Sequence, residues 1–225
     1  MRQDIVTQEN LQQPRTVEEL REFLVKTFNT IRQDKSARKN ARARKGLYKR
    51  LIEELWPLSW YFEKKYSGSG YRIQHQLGNQ GFDAIVLDEH GAEVERLEVS
   101  WPIDGHKHAE TVRLLNERGH GPSEIYDDPR EKLRELFKYT LDGAKKKAIR
   151  DYKTIKGRSS LVLVVDPVPY YHPEIPEHQE EVEELVADLS IIQYRVDEVF
   201  LVFPSLQEVI QVNSVVSQRY SNRFN

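Results

Sequence analysis

YRIQHQLGNQGFDAIVLDEHGAEVERLEVSWP, residues 71–102, contains three short runs with strand propensity: YRIQHQLG at 71–78, GFDAIVLDE at 81–89 and AEVERLEVSWP at 92–102. They are separated by GNQG at 78–81 and by the step at His90 and Gly91, and SGSG at 67–70 precedes them. Short runs punctuated by turn residues predict three strands joined as an antiparallel β-meander. Two of the carboxylates in these runs stand out. Asp83 lies between Phe82 and the apolar AIVL, and Glu98 between Leu97 and Val99, whereas Asp88 and Glu89 beside Gly91 read as turn residues at the surface. Because strand side chains alternate, Glu98 and Ser100 share one face of the third strand and Leu97, Val99 and Trp101 take the other.

Towards the N-terminus, Leu47, Leu51 and Leu55 line one face of a helix in which Pro57 is expected to break or kink the backbone after Trp56. Thr16 and Glu19 have capping-box spacing, and Leu20, Phe23, Leu24 and Phe28 recur at helical intervals, which predicts a helix over 17–33. The polar, glutamine-rich residues 1–16 read as an arm. Towards the C-terminus, 102–130 reads as an insertion holding histidines and a short helix at 108–118. A long helix is predicted over 131–156, with Leu133, Phe137, Leu141, Ala144, Ala148, Tyr152 and Ile155 on one stripe. SSLVLVVDP and EVFLVFP are uninterrupted apolar runs of the kind found in strands buried on both faces, and an acidic amphipathic helix over 179–192 separates them. Residues 205–225 form a tail. The order is α, α, β, β, β, α, β, α, β: a single α/β domain over 17–204, with a mixed central sheet and helices on both faces.

An αβββαβ order with an acidic residue on the second strand and another on the third resembles the PD-(D/E)xK nuclease superfamily, the restriction-endonuclease-like fold. The resemblance covers most of residues 46–203. It implies a divalent-metal-dependent nuclease, with DNA as the expected nucleic acid. Asp83 and Glu98 would hold Mg²⁺ or Mn²⁺ through oxygen ligands, assisted by Glu54 from the first core helix. The chain departs from the family where the motif has lysine, two residues after Glu98: Ser100 stands there and supplies no cation. The resemblance allows a lysine from the following helix to substitute, Lys145 first and Lys138 second. The other reading of Lys145, Lys146 and Lys147 is a solvated helix face. With Ser100 in that position two functions stay open, a nuclease or a degenerate relative that binds nucleic acid or a protein without cleavage.

The composition narrows the remaining possibilities. The chain of 225 residues has no cysteine, which excludes disulfides, thiolate catalysis and cysteine-based zinc sites. The opening MRQDIVTQENLQQPRT has no apolar run of the signal-peptide kind, and no segment reaches the length of a membrane span, so the cytoplasm is the expected compartment and a membrane is not an expected partner. Net charge is only −2, yet it is polarised. Residues 31–50 carry nine Lys or Arg against one Asp, and 173–198 carry nine Asp or Glu against one Arg. The basic run offers Arg38, Lys39, Arg42, Arg44 and Lys45 to phosphates. In a third reading, an unrelated interaction domain, the acidic helix over 177–188 docks a basic protein. A homodimer is compatible with any of these. His106, His108 and His120, near Asp104 and Glu110, read either as a zinc site, as phosphate contacts or as surface residues. Tyr170, Tyr171 and His172 line a cleft or pack over the sheet edge. Glycine-rich nucleotide loops and a GxSxG nucleophile elbow are absent.

Overall fold

The computed structural model describes residues 4–78, 81–101, 105–119, 128–150, 158–168 and 170–212. They group into two compact units, described in turn. The first holds the described residues up to Leu97 together with 105–119, and the second begins at Glu98.

In the first unit, Thr7 caps a short helix α1 (Gln8–Gln12). Thr16 and Glu19 form both bonds of the capping box that starts α2 (Val17–Gln33). Val17, Leu20, Leu24, Thr27 and Ile31 are the buried side of α2, at the 3-4-3-4 spacing that keeps one stripe inward. Residues 4–16, in the stretch read as an arm, are anchored to this unit. Val6 and Leu11 are buried, Arg15 exchanges both backbone bonds with Ile73, and its guanidinium lies 3.9 Å from the centre of the Phe23 ring. Asp34 then caps α3 (Lys35–Arg42), which buries Ala37 and Ala41.

The expected break at Pro57 takes a different form. α4 (Leu47–Arg50) runs into one π-helical turn, Leu51–Leu55, and then into α5 (Trp56–Tyr66), with Pro57 in the first turn of α5. Proline has no N–H and its ring crowds the carbonyl four residues back. Widening the turn just before it, so that Trp56 N–H donates to Leu51 O, carries the helix through that position. The meander is as expected: β1 (Arg72–His75), β2 (Ala84–Leu87) and β3 (Glu93–Ser100) are antiparallel, with Ile73 opposite Val86 and Ala84 opposite Leu97. Gly91, at φ +82°, occupies the left-handed position of the β2–β3 turn, and the Asp88 side chain accepts from the N–H groups of His90 and Ala92. α6 (Gly105–Arg118) is longer than the short helix expected there and carries His106 and His108.

The second unit is built on β4 (Arg158–Val164), paired in parallel with β5 (Glu198–Phe203). β6 (Glu208–Gln211), within the stretch read as tail, closes antiparallel on β5. Strand order is β1-β2-β3-β4-β5-β6, with parallel and antiparallel pairs, so the sheet is mixed and the fold is α/β. Parallel strands need a crossover, and α8 (Pro176–Ser190) provides it between β4 and β5. Leu161, Leu163, Leu201 and Phe203 meet Leu133, Phe137 and Ala144 of α7 (Pro129–Ala148) and Leu185 and Leu189 of α8 in one core. Tyr152 and Ile155, expected to extend α7, lie outside the described residues, as do 213–225 of the tail. Among the described residues no helix is long and apolar enough to cross a membrane.

An ion pair joins α7 to α8. Glu181, buried on α8, accepts from Arg134 at 2.7 Å and from Arg130 at 3.3 Å. Burial alone would raise its pKa, but the two guanidinium groups outweigh that and hold it below the usual carboxylate value. A depressed folded-state pKa stabilises the fold above the unfolded value and ceases to do so as pH falls through the folded one. Glu181→Gln should therefore melt below wild type at neutral pH, and the gap should close as the pH drops below about 4.3, the unfolded glutamate value. A gap that stays constant between neutral pH and pH 3, read by thermal melts followed by circular dichroism, would contradict this account.

Candidate active site around Glu98

Glu98, on the last turn of the pleat before β3 ends, is 4% exposed. Its Oε1 accepts from Arg150 at 2.5 Å and also from Lys147. Its Oε2 is buried and has no hydrogen-bond partner among the described residues. A buried carboxylate is costly unless paired, and here one oxygen carries both cations while the other carries none. One negative charge facing two positive ones also leaves a local excess of positive charge, suited to an anion such as phosphate.

The two cations come from the end of α7 and the residues just beyond it. Leu133, Phe137, Thr140, Ala144 and Ala148 are the buried line of that helix. At about 100° per residue Lys147 lies roughly 60° from Ala144 and Lys145 roughly 100°. Lys147 is accordingly half-buried and reaches Glu98, whereas Lys145 and Lys146 are exposed, as is Lys138. α7 brings a lysine to the glutamate, and among the three expected or neighbouring positions it is Lys147 that makes the contact. Ser100 is buried at the end of β3. Arg150 was missed because it falls off the apolar stripe of the helix predicted over 131–156, whereas α7 ends at Ala148 and Arg150 follows it.

Asp83 is half-buried and immediately precedes β2. Its N–H donates to Leu97 O and its carbonyl accepts from Gln76 N–H, each at 2.8 Å. Glu54 is buried within the π-helical turn, and both its oxygens are taken. Oε2 bonds His75 Nε2 at 2.6 Å, and Oε1 accepts from Arg50. Glu54 is thus committed to a neighbouring strand and to its own helix. Among the described residues no group of three or more His, Asp or Glu side chains gathers as a metal centre.

The other candidates divide in the same way. Arg38, Lys39, Arg42 and Lys45 are exposed, but Arg44 is half-buried at φ +47° with its guanidinium on Glu53 at 3.0 Å, a structural role rather than a free phosphate contact. Asp104 and His120 lie outside the described residues, and no account of the side chains of His106 and His108 on α6 follows from the structure. Tyr171 packs against the core of the second unit, and the nearby His178 accepts from His172 N–H at 3.0 Å, so this loop caps the core. α8 exposes Glu177, Glu180, Glu183, Glu184 and Asp188.

No protein-family model and no curated protein matches the chain. Among solved structures, that of Pyrococcus furiosus SfsA in complex with Ca²⁺ aligns at 16% identity over 85% of this chain and 62% of that one, with a TM-score of 0.18. The chain therefore spans less than two thirds of that protein's length, and the superposition is too poor to establish a shared fold.

Proposed function

We propose that the chain is a divalent-metal-dependent phosphodiesterase acting on nucleic acid, DNA foremost, with Glu98 and Asp83 as its metal-holding carboxylates and Lys147 as the cation that Ser100 cannot supply. The observation that supports this most is the asymmetry of Glu98, whose Oε1 takes both cations while its Oε2 is buried and unpartnered. An orphaned, buried carboxylate oxygen suits a hard cation. Asp83 is brought in by the resemblance and by its backbone bond to Leu97, the residue before Glu98. Mg²⁺ or Mn²⁺ held there would lower the pKa of water and offset charge on the phosphodiester. The chain's own groups have simpler tasks. Glu98 orients the site, and Lys147 and Arg150 neutralise a phosphate brought against it. Glu54, engaged by His75 and Arg50, holds the π-helical turn to β1 and stays outside the reaction.

A second reading, binding without cleavage, is favoured by the engagement of Glu98 Oε1 with two cations, which must shift before that oxygen can serve a metal. One assay separates the two. Purified protein is incubated with plasmid, linear duplex and single-stranded substrates in Mg²⁺, in Mn²⁺ and in EDTA, alongside Asp83→Ala and Glu98→Gln. The expected result is cleavage in metal, none in EDTA, and loss of activity in both variants. Retained binding with no cleavage of any substrate establishes the second reading instead.

A further inference from the structure

Outside the Glu98 site the first unit has a groove between α2 and α5, with a cavity of about 220 Å³. Phe28, Trp56 and Trp60 line it, Phe28 meeting Trp56 edge-on with ring centres 6.1 Å apart, and Val25, 57% exposed, stands among the lining residues. The indole N–H of Trp60 is buried and has no acceptor among the described residues. Aromatic walls with one unspent donor suit a flat ring that carries its own acceptors. Arg32 lines the groove where α2 ends, and three residues later α3 begins.

On α3 the exposed residues Lys35, Arg38, Lys39 and Arg42 recur at i, i+3, i+4 and i+7, so they form one stripe, and Ala37 and Ala41 are turned inward. None of the four makes an ion pair with a described residue, and Arg32 makes none either. Over seven residues the stripe extends roughly 10 Å along the helix. No large apolar residue of α3 stands exposed beside it, as insertion into a lipid surface would require. Cations in a row next to aromatic rings are the combination that holds single-stranded nucleic acid, phosphates on the first and an unstacked base on the second.

We propose that the α2–α5 groove takes an unstacked base of a single-stranded nucleic acid whose phosphates run past Arg32 along the cationic stripe of α3. The inference rests on the nucleic-acid reading above and deepens it by naming the strand state of the substrate. A paired base in a duplex cannot enter the groove without leaving its stack, so single strands bind more tightly.

The test is equilibrium binding in EDTA, followed by fluorescence anisotropy, of a labelled oligothymidylate and a duplex of equal length. Wild type should prefer the single strand. Trp60→Ala should weaken single-strand binding roughly tenfold while leaving the salt dependence unchanged. Val25→Glu places a carboxylate at the exposed groove mouth without disturbing the core, and should give the same loss if Trp60→Ala fails to fold. The double variant Arg38→Ala/Lys39→Ala should flatten the slope of log affinity against log salt by roughly 1.4, about 0.7 for each cation lost. Equal affinity for duplex, unchanged binding by the groove variants, an unchanged salt slope in the stripe variant, or tighter binding to an acidic peptide would each overturn the proposal. Because no metal is present, the outcome is independent of cleavage. A chain that never cuts but shows this pattern keeps the groove and loses the nuclease reading, and a chain that cuts without it does the reverse.

Discussion

Lys147→Met should reduce metal-dependent cleavage by roughly 10²–10³-fold, the usual loss when one group that stabilises transition-state charge is removed. Methionine keeps much of the length and apolar stem of lysine and removes the charge, so α7 should keep its packing. Lys145→Met, which alters an exposed residue two positions away, should cut as wild type. The sharper arm is a rescue. Ser100 shares a strand face with Glu98, the position from which the family's motif lysine acts. Ser100→Lys in the Lys147→Met background should restore part of the activity, because it returns the cation to the same glutamate from the strand instead of the helix. A merely structural lysine would be rescued by neither route in activity alone. Full activity in Lys147→Met, or no difference between the Lys145 and Lys147 variants, would remove Lys147 from the site.

The choice between these two lysines shows how far the sequence could be read. A cation was expected from the long helix predicted over 131–156, and Lys147 of α7 contacts Glu98. Its identity turned on which residues form the inner face. Taking Leu141 as core because it is apolar rotates the inferred face towards Lys145. The structure buries Thr140 completely, its hydroxyl satisfied by Leu136 O at 2.9 Å, and leaves Leu141 half-buried, so the face turns towards Lys147. A threonine that bonds the carbonyl four residues back can lie inside a helix interface, which a scan of apolar residues does not register.

Local chemistry was legible wherever one residue determines the backbone. The Thr16 and Glu19 box marks the start of α2, and the apolar runs at β4 and β5 mark strands covered on both sides. Long-range pairing was not. Residues 1–16 are polar in composition, yet Arg15 joins the edge of β1 through its backbone, and backbone bonds carry no side-chain signature. Pro57 was read correctly as a disruption, but a helix has two responses to proline. The π-helical turn keeps α4 and α5 one continuous rod, and that rod carries Glu54, Tyr61 and Lys65 towards the sheet.

That rod explains the glutamate that the sequence reading passed over. Glu95, three residues before Glu98 on β3, is fully buried. Its Oε1 accepts from Tyr61 at 2.7 Å and from Lys65 at 2.7 Å, and its Oε2 accepts from Tyr66 at 2.6 Å. These three donors all lie on α5. By sequence Glu95, between Val94 and Arg96, is the less conspicuous strand carboxylate, whereas Glu98 is flanked by Leu97 and Val99. They differ in what their oxygens meet. Glu95 has both oxygens engaged, so it fastens α5 to the meander, whereas Glu98 keeps one buried oxygen unpartnered. Glu95→Ala would strand two tyrosine hydroxyls and an ammonium group in a dry interface, and removing one partner of a buried charged pair costs about 3–5 kcal/mol. At about 2–4 °C per kcal/mol for a chain of this size, the melting temperature should fall by roughly 6–20 °C. Glu95→Gln should lose less, because an amide oxygen can still accept from Tyr61 while Lys65 loses its counter-charge. Glu98→Gln should melt closer to wild type than Glu95→Ala does, since only one of its oxygens is bonded, while abolishing the proposed cleavage. Thermal melts of the three variants decide it: if Glu95→Ala melts within a degree or two of wild type, or Glu98→Gln falls further than Glu95→Ala, the division between a fastening and a reactive glutamate fails.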